Sequence, residues 1–485
     1  MPPPPSAVII ARPDELPGRS RVWGTGGWQE PQAREALDWF TLCRISGWSA
    51  TVVPLGARLP PSERWIIVAC DPGLLSASDY TAIERALDDK PLLAIMRGDG
   101  FDRERGRTIR VRKVGRGAIA TLPFHPSQAR DADGAVTARL RRLMIEHAQA
   151  PVAWFDHAGT VVLRMDDPGG AQNVWDSRWS YPKLDARQWA AIGAALRRHK
   201  ARLSVFYVPG WVDDGDPARG ALTVGGRAVA RRPGAIHPSP LITYTDRAGH
   251  APGRMYDGRA EFASIQKLRK AGLAEVELHG FAHVNPDTAA WARAADRYRS
   301  SDWFRELGRN ENAALARLSV RRHPLTRGIA ALKQQFGATP TTLVAPGDAF
   351  TPEAAERAAK LGLRLMSSYY TAIRADGRLA WSQHVCAPYL DTGSKKWLAS
   401  GLPVVGYFHD KDVVDRGIGW FTESLVQWRR AGARRFIDFS ELAAATGRTL
   451  SYDGRKVRIA VDDGAPPPPR ALPIRTHRPG MKLRD

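Results

Sequence analysis

Between residues 7 and 149, and again from 160 to 439, short and continuously apolar runs alternate with stretches of helical period; no other feature of the chain restricts its fold as much. In the first half the runs are AVIIA (7–11), SATVVPL (49–55), RWIIVAC (64–70) and PLLAIMRG (91–98). Amphipathic segments lie between and after them, in AREALDWFTLCRISG (33–47), DYTAIERALDD (79–89) and AVTARLRRLMIEHAQ (135–149). A strand that is apolar at every position must be covered on both faces, which a parallel sheet flanked by helices provides. Residues 1–150 are therefore expected to form a small doubly wound α/β domain.

The alternation restarts at TVVLRM (160–165) and continues through the helix DARQWAAIGAALRRHK (185–200) and the strand ARLSVFYVP (201–209). EFASIQKLRKAG (261–272) and TRGIAALKQQFG (326–337) read as helices, as does a segment from Thr288 to about Leu318. TPEAAERAAKLG (351–362) is a helix with Thr351 as N-cap and Pro352 at its first position. Further strands are AEVELHG (274–280), TTLVAPG (341–347), LRLMSS (363–368), LPVVGYFHD (402–410) and RRFIDF (434–439). Some seven or eight βα units of this kind predict a distorted (β/α) barrel over 151–447. Residues 209–258, rich in Gly and Pro and without periodicity, read as a functional insertion or lid. Residues 448–485 read as an extension ending in a Pro/Arg-rich, flexible tail.

A chain of 485 residues exceeds what one hydrophobic core organises, which agrees with two domains. No apolar run reaches the ~20 residues of a bilayer span, and the N-terminus lacks the pattern of a secretory signal. Three cysteines, Cys43, Cys70 and Cys386, carry neither metal-site spacing nor a disulfide framework, so a reducing cytoplasm is expected. The net charge of +21 raises nucleic acid as a partner, but the basic stretches RTIRVRKVGRG (107–117) and RALPIRTHRPGMKLRD (470–485) interleave no aromatics. The charge is read as solvated arginine-rich surface and nucleic acid is not expected.

The ends of the predicted barrel strands carry the chemistry. TVVLRM runs into Asp166-Asp167, AEVEL into His279 with His283 four residues on, TTLV into Ala345-Pro346-Gly347, and PVVGYF into His409-Asp410. Each piece alone has an ordinary reading: Asp-Asp-Pro-Gly as a capped turn, H-x-x-x-H as packing, His-Asp as a loop pair. Strand ends on one side of a parallel barrel share a common mouth, however. One carboxylate and two imidazoles drawn from two strands there make a three-ligand set with open positions, the form of catalytic zinc sites.

The order strand-Asp-Asp, strand-His-x-x-x-His, strand-Pro-Gly, strand-His-Asp resembles the polysaccharide deacetylase, or NodB-homology, family over about residues 158–445. The family's Thr-Phe-Asp-Asp-Gly corresponds to Arg164-Met165-Asp166-Asp167-Pro168, and its His-Ser/Thr-x-x-His to His279-Gly280-Phe281-Ala282-His283. Its final apolar strand ending in His-Asp corresponds to Val404–Asp410. The resemblance implies a deacetylase-type barrel with Asp166 as general base and His409 as general acid. Asp167, His279 and His283 would bind a divalent metal, zinc foremost. Asp410 would orient the imidazole or bind solvent, and Pro346 and Gly347 would shape the pocket floor. The aromatic stretch NVWDSRWSYP (173–182) supplies Trp175 and Trp179 as residues that could stack on sugar faces. Residues 1–150 resemble the flavodoxin-like, glutamine-amidotransferase-like fold. They carry no catalytic elbow, because Cys70 is followed by Asp71-Pro72 where the elbow continues into a helix.

Two departures stand out. The arginine that opens the family's third motif is absent from Leu343–Gly347, with Arg164 the conceivable substitute, and Gly280 replaces Ser/Thr in the second motif. The expected activity is removal of acetyl groups from an N- or O-acetylated carbohydrate. The alternative is a catalytically silent carbohydrate- or partner-binding protein that keeps the fold.

Overall fold

The computed structural model of the chain describes residues 5–13, 22–24, 35–98, 109–123, 135–171, 182–247, 253–287, 304–308, 315, 318–363, 365–366, 372–374, 379–381, 389–392, 395–462, 465, 467–468 and 471–483. Two sheets organise it. The first places the strands Ala50–Pro54, Ala7–Ala11, Trp65–Ala69, Leu93–Arg97 and Gly117–Leu122 side by side in that order, all parallel. Arg110–Val114 pairs antiparallel with Gly117–Leu122 at one edge. The described part of the basic stretch 107–117 is thus an edge hairpin, with Arg110 and Arg112 exposed to solvent. Helices Glu35–Ile45 and Ala135–Glu146 pack on one face of this sheet and Ala77–Asp89 on the other. Cys43 and Cys70 are buried, and burial pushes the Cys43 thiol up to about 12. Cys386 lies outside the described residues.

The second sheet has seven parallel strands. Its path runs Leu365–Met366, Thr342–Leu343, Ala274–Leu278, Leu203–Tyr207, Thr160–Asp166, Val404–His409, and Arg435–Ile437 pairs with the start of Thr160–Asp166. It curls without closing, a half-barrel where a complete ring of strands is one outcome of the βα count. Period-2 alternation divides every strand between two environments. Val161, Leu163, Met165, Leu203, Val205, Val276, Leu278, Val404 and Phe408 face the surrounding helices. Val162, Phe206, Val344, Val405 and Ile437 face the concave interior, which the helix Phe439–Thr446 plugs with Phe439, Leu442 and Ala443. Phe206 and Phe439 meet edge-on at 5.1 Å. Burying each such side chain contributes ~1.5–3 kcal/mol, so both faces are fixed against a register slip.

Two stretches that show no periodicity in the sequence contain short regular elements. Residues 209–258 are not structureless: Gly210–Val212 pairs with Ile236–Pro238, and Arg227–Val229, Leu222–Val224, Ile242–Thr245 and Met255–Asp257 form an antiparallel sheet. Its strands are three or four residues long, too short to show a period in sequence. Beyond residue 447, Arg448–Tyr452 and Val457–Val461 form a hairpin, and Ile474–His477 returns to pair antiparallel with Val152–Phe155. The helix expected from Thr288 falls largely outside the described residues. No helix among the described residues is long and apolar enough to cross a membrane.

Candidate metal centre

Because the seven strands are parallel, their C-terminal ends open on one side, and inward-facing positions there converge. On Thr160–Asp166 the inward series is Val162, Arg164, Asp166; on the adjoining Val404–His409 it ends in His409, and one strand beyond Leu203–Tyr207, on the other side, in His279. Asp167 follows with φ +81, a left-handed conformation that swings its carboxylate toward His279. His283 (φ +55) and Asp348 (φ +51) are also left-handed. Of the four non-glycine residues with positive φ among the described residues, three therefore stand at this mouth; backbone strain of ~1–3 kcal/mol per residue is held where the surroundings dictate the geometry.

Asp167, His279 and His283 each offer a ligand atom within 4.8 Å of the others. His279 Nε2 lies 3.1 Å and His283 Nε2 3.4 Å from Asp167 Oδ1, with the two rings edge to face at 4.7 Å. His279 Nδ1 donates to Val344 O at 2.9 Å, which fixes the ring with Nε2 facing the carboxylate. Two imidazole nitrogens and a carboxylate oxygen facing one another call for a positive charge between them. The N₂O donor set with open positions fits a divalent cation such as zinc. The electrostatics agree. Burial opposes ionisation of Asp167, but the hydrogen bond from His279 and the neighbouring imidazoles outweigh it and hold the carboxyl well below its usual range. Burial, with His279 beside it, pushes His283 down to about 4.

Asp166 lies beside this set and belongs to a different network. Arg164 Nε donates to Asp166 Oδ1 at 2.9 Å and Nη2 to Oδ2, a bidentate fork between two buried side chains. The same guanidinium lies 3.6 Å from Asp348 and faces the Tyr407 ring at 5.5 Å. A guanidinium from Asp166's own strand, two residues upstream, thus lies against this carboxylate. His409 is held by Asp412, whose Oδ2 accepts from His409 N at 2.8 Å and lies 3.2 Å from Nδ1. Tyr389 Oη stands 3.4 Å from the same nitrogen. Burial works against the His409 cation, yet the Asp412 hydrogen bond and the charges of Asp167 and Asp166 raise it to about 9.

Asp410 does not orient His409. It is fully buried and pairs with Lys183 at 3.1 Å, while Lys183 also donates to Asp167 O at 2.8 Å. The reason is helical: His409 caps the helix Asp410–Ala431, and Asp412, three positions on, faces back to it. Pro346 packs against Gly280, where an added β-carbon would lie 2.6 Å from Pro346 Cγ at φ +69, so Ser or Thr does not fit there. Gly347 (φ +63) turns the chain into Asp348. Trp175 and Trp179 lie outside the described residues.

Three residues escape the sequence reading: Asp348, Asp412 and Glu306. Glu306 accepts from Phe281 N (2.7 Å) and Ala282 N (2.9 Å), holding the loop that presents His283. Asp348 and Asp412 lie one and two residues beyond Pro346-Gly347 and His409-Asp410 in sequence; nothing local marks Glu306.

No protein-family model matches the chain, and no curated protein matches it in sequence. Solved structures that it resembles include a protein of Mycobacterium smegmatis assigned as a polysaccharide deacetylase, at 14% identity and TM-score 0.34, covering 60% of this chain and 90% of that one. A family 4 carbohydrate esterase from Bacillus anthracis aligns at 10% identity and TM-score 0.28, over 60% and 86%. A CE4 family pseudoenzyme, also from Bacillus anthracis, aligns at 9% identity and TM-score 0.29, over 59% and 66%.

Proposed function

We propose that the chain is a metal-dependent hydrolase that removes acetyl groups from an N- or O-acetylated carbohydrate. The observation that carries this reading is the convergence of Asp167, His279 and His283 beside two separately held groups, Asp166 and His409. A divalent cation bound by the three ligands would polarise the acyl oxygen and bring the pKa of water toward neutrality. Asp166, fixed by Arg164, takes the proton of the attacking water. His409, whose hydrogen bond to Asp412 favours the protonated ring, delivers a proton to the departing nitrogen or oxygen. Asp412 holds the imidazole in register through both transfers. The silent-binder alternative has two grounds, the absent third-motif arginine and the extra N-terminal domain, and the Arg164 fork weighs against the first.

The test is elemental analysis of purified wild type and His279→Ala, with acetate release from a panel of acetylated oligosaccharides and simple acetyl esters. Near-stoichiometric metal in wild type, its loss in the variant and acetate release from a sugar are expected. Wild type without metal sinks the proposal, and turnover of simple esters alone redirects it to another acyl substrate.

A further inference from the structure

Two arginine-rich runs far apart in sequence, RRHKAR (197–202) and RRAGARR (429–435), meet at the end of the half-barrel opposite the metal centre. The placement follows from the parallel sheet: the first run ends helix Ala186–Arg198 and leads into Leu203–Tyr207, and the second leads into Arg435–Ile437. Between them lies a cleft of about 520 Å³ lined by Arg198, His199, Lys200, Arg429, Arg434 and Arg435, with Phe436 behind. Its wall contains five cationic side chains and no carboxylate.

Neighbouring groups account for part of this charge. Arg435 pairs with Glu441 at 2.5 Å. Arg429 donates to the carbonyls of His199, Ala433 and Arg434, and Arg434 to that of Ala158, so both satisfy backbone acceptors but neutralise nothing. Among the described residues, Arg198, Lys200, Arg429 and Arg434 pair with no carboxylate, and Arg198 and Lys200 have no hydrogen-bond acceptor. The helix dipole favours one or two cations at this terminus but not a closed group of five. Lys200 is also the left-handed residue (φ +48) of a Schellman motif, in which its N–H bonds to Arg197 O and that of Ala201 to Leu196 O. Glycine is the default there, and a lysine keeps its charge at the cleft against that preference. The local field is visible at His199, whose pKa is lowered by burial and then by Arg198 and Arg429.

We infer that this cleft is an anion-binding site for a compact ligand bearing two or more closely spaced phosphate groups. The volume falls within the range of small-molecule sites. Guanidinium forks match phosphate oxygens in geometry as well as charge. A single-stranded nucleic acid is a poorer fit, because it requires an open aromatic face for stacking and the one phenyl ring in the lining, Phe436, is buried beneath the Arg429 guanidinium at 4.6 Å, with only the His199 imidazole besides. The site is independent of the hydrolase reading.

The experiment is calorimetric titration of the full chain with inorganic tripolyphosphate at constant ionic strength, repeated on Arg198→Glu/Lys200→Glu and on Arg110→Glu/Arg112→Glu. Both pairs are exposed, so unchanged circular dichroism and melting without ligand verify folding. Saturable one-to-one binding, weakened at least tenfold in the first variant and retained in the second, is expected. Any effect of the probe at the metal centre is common to all three proteins and cancels. Equal binding in all three, or heat indistinguishable from sodium chloride, overturns the inference. A single-stranded oligonucleotide that outcompetes tripolyphosphate at this cleft overturns the compact-ligand assignment.

Discussion

At the scale of single residues, the proposed role of Asp166 as general base depends on Arg164. Alternation on a strand puts residues two apart on one face, so the Arg164–Asp166 fork was legible in RMDD once the strand was recognised. Its third member, Asp348, was not, since it arrives from a turn some 180 residues later. Arg164→Lys is expected to keep the charge, lose the bidentate geometry and lower kcat by about tenfold or more with the metal content unchanged. Arg164→Gln leaves two carboxylates without their cation and is expected to cost about 3–5 kcal/mol of stability as well. Steady-state kinetics and urea unfolding on the same preparations separate the two effects. Full activity in Arg164→Lys would show that the fork does not position the base.

At the scale of elements, the loop His279–His283 depends on Glu306. The sequence shows the H-x-x-x-H spacing but not what holds it; the chain here is a loop with Gly280 and His283 left-handed, tied to a buried carboxylate. Burial raises the Glu306 pKa to about 7, against the pull of the Phe281 and Ala282 amides. A raised folded-state pKa means that the folded chain binds the proton more tightly than the unfolded one. The group's contribution to stability is therefore complete below the ordinary glutamate value, ~4.3, and declines as pH rises through about 7. Urea unfolding of metal-depleted protein between pH 4.5 and 8 should show this decline in wild type. Glu306→Gln should flatten it, and an identical slope in both proteins would assign the pH dependence elsewhere.

At the scale of the whole molecule, the C-terminal segment joins the two sheets. Ile474–His477 pairs with Val152–Phe155, Arg475 bonds Asp156 at 3.0 Å, and Trp154 packs into the core of the first sheet while Phe155 packs with the 448–461 hairpin. Trp48 Nε1 donates to Ala153 O at 2.7 Å, and Arg44 reaches Asp462. Deleting residues 471–485 should therefore cost ~2–4 kcal/mol, at about 1 kcal/mol per lost hydrogen bond plus the uncovered apolar edge, and lower the thermal midpoint by several degrees in calorimetry. An unchanged midpoint would mean that the strand adds nothing to the junction. The sequence by itself determined the two alternating α/β halves and the strand ends that carry Asp166, Asp167, His279, His283 and His409, because continuous apolar runs and period-2 alternation are local properties of the chain. Only the tertiary structure decided that Asp412 rather than Asp410 holds His409, that Glu306 and Asp348 serve the site, and that two distant arginine runs form one cleft. Those pairings join residues from separate elements or turn on which way a side chain leaves a helix cap, and only packing fixes either.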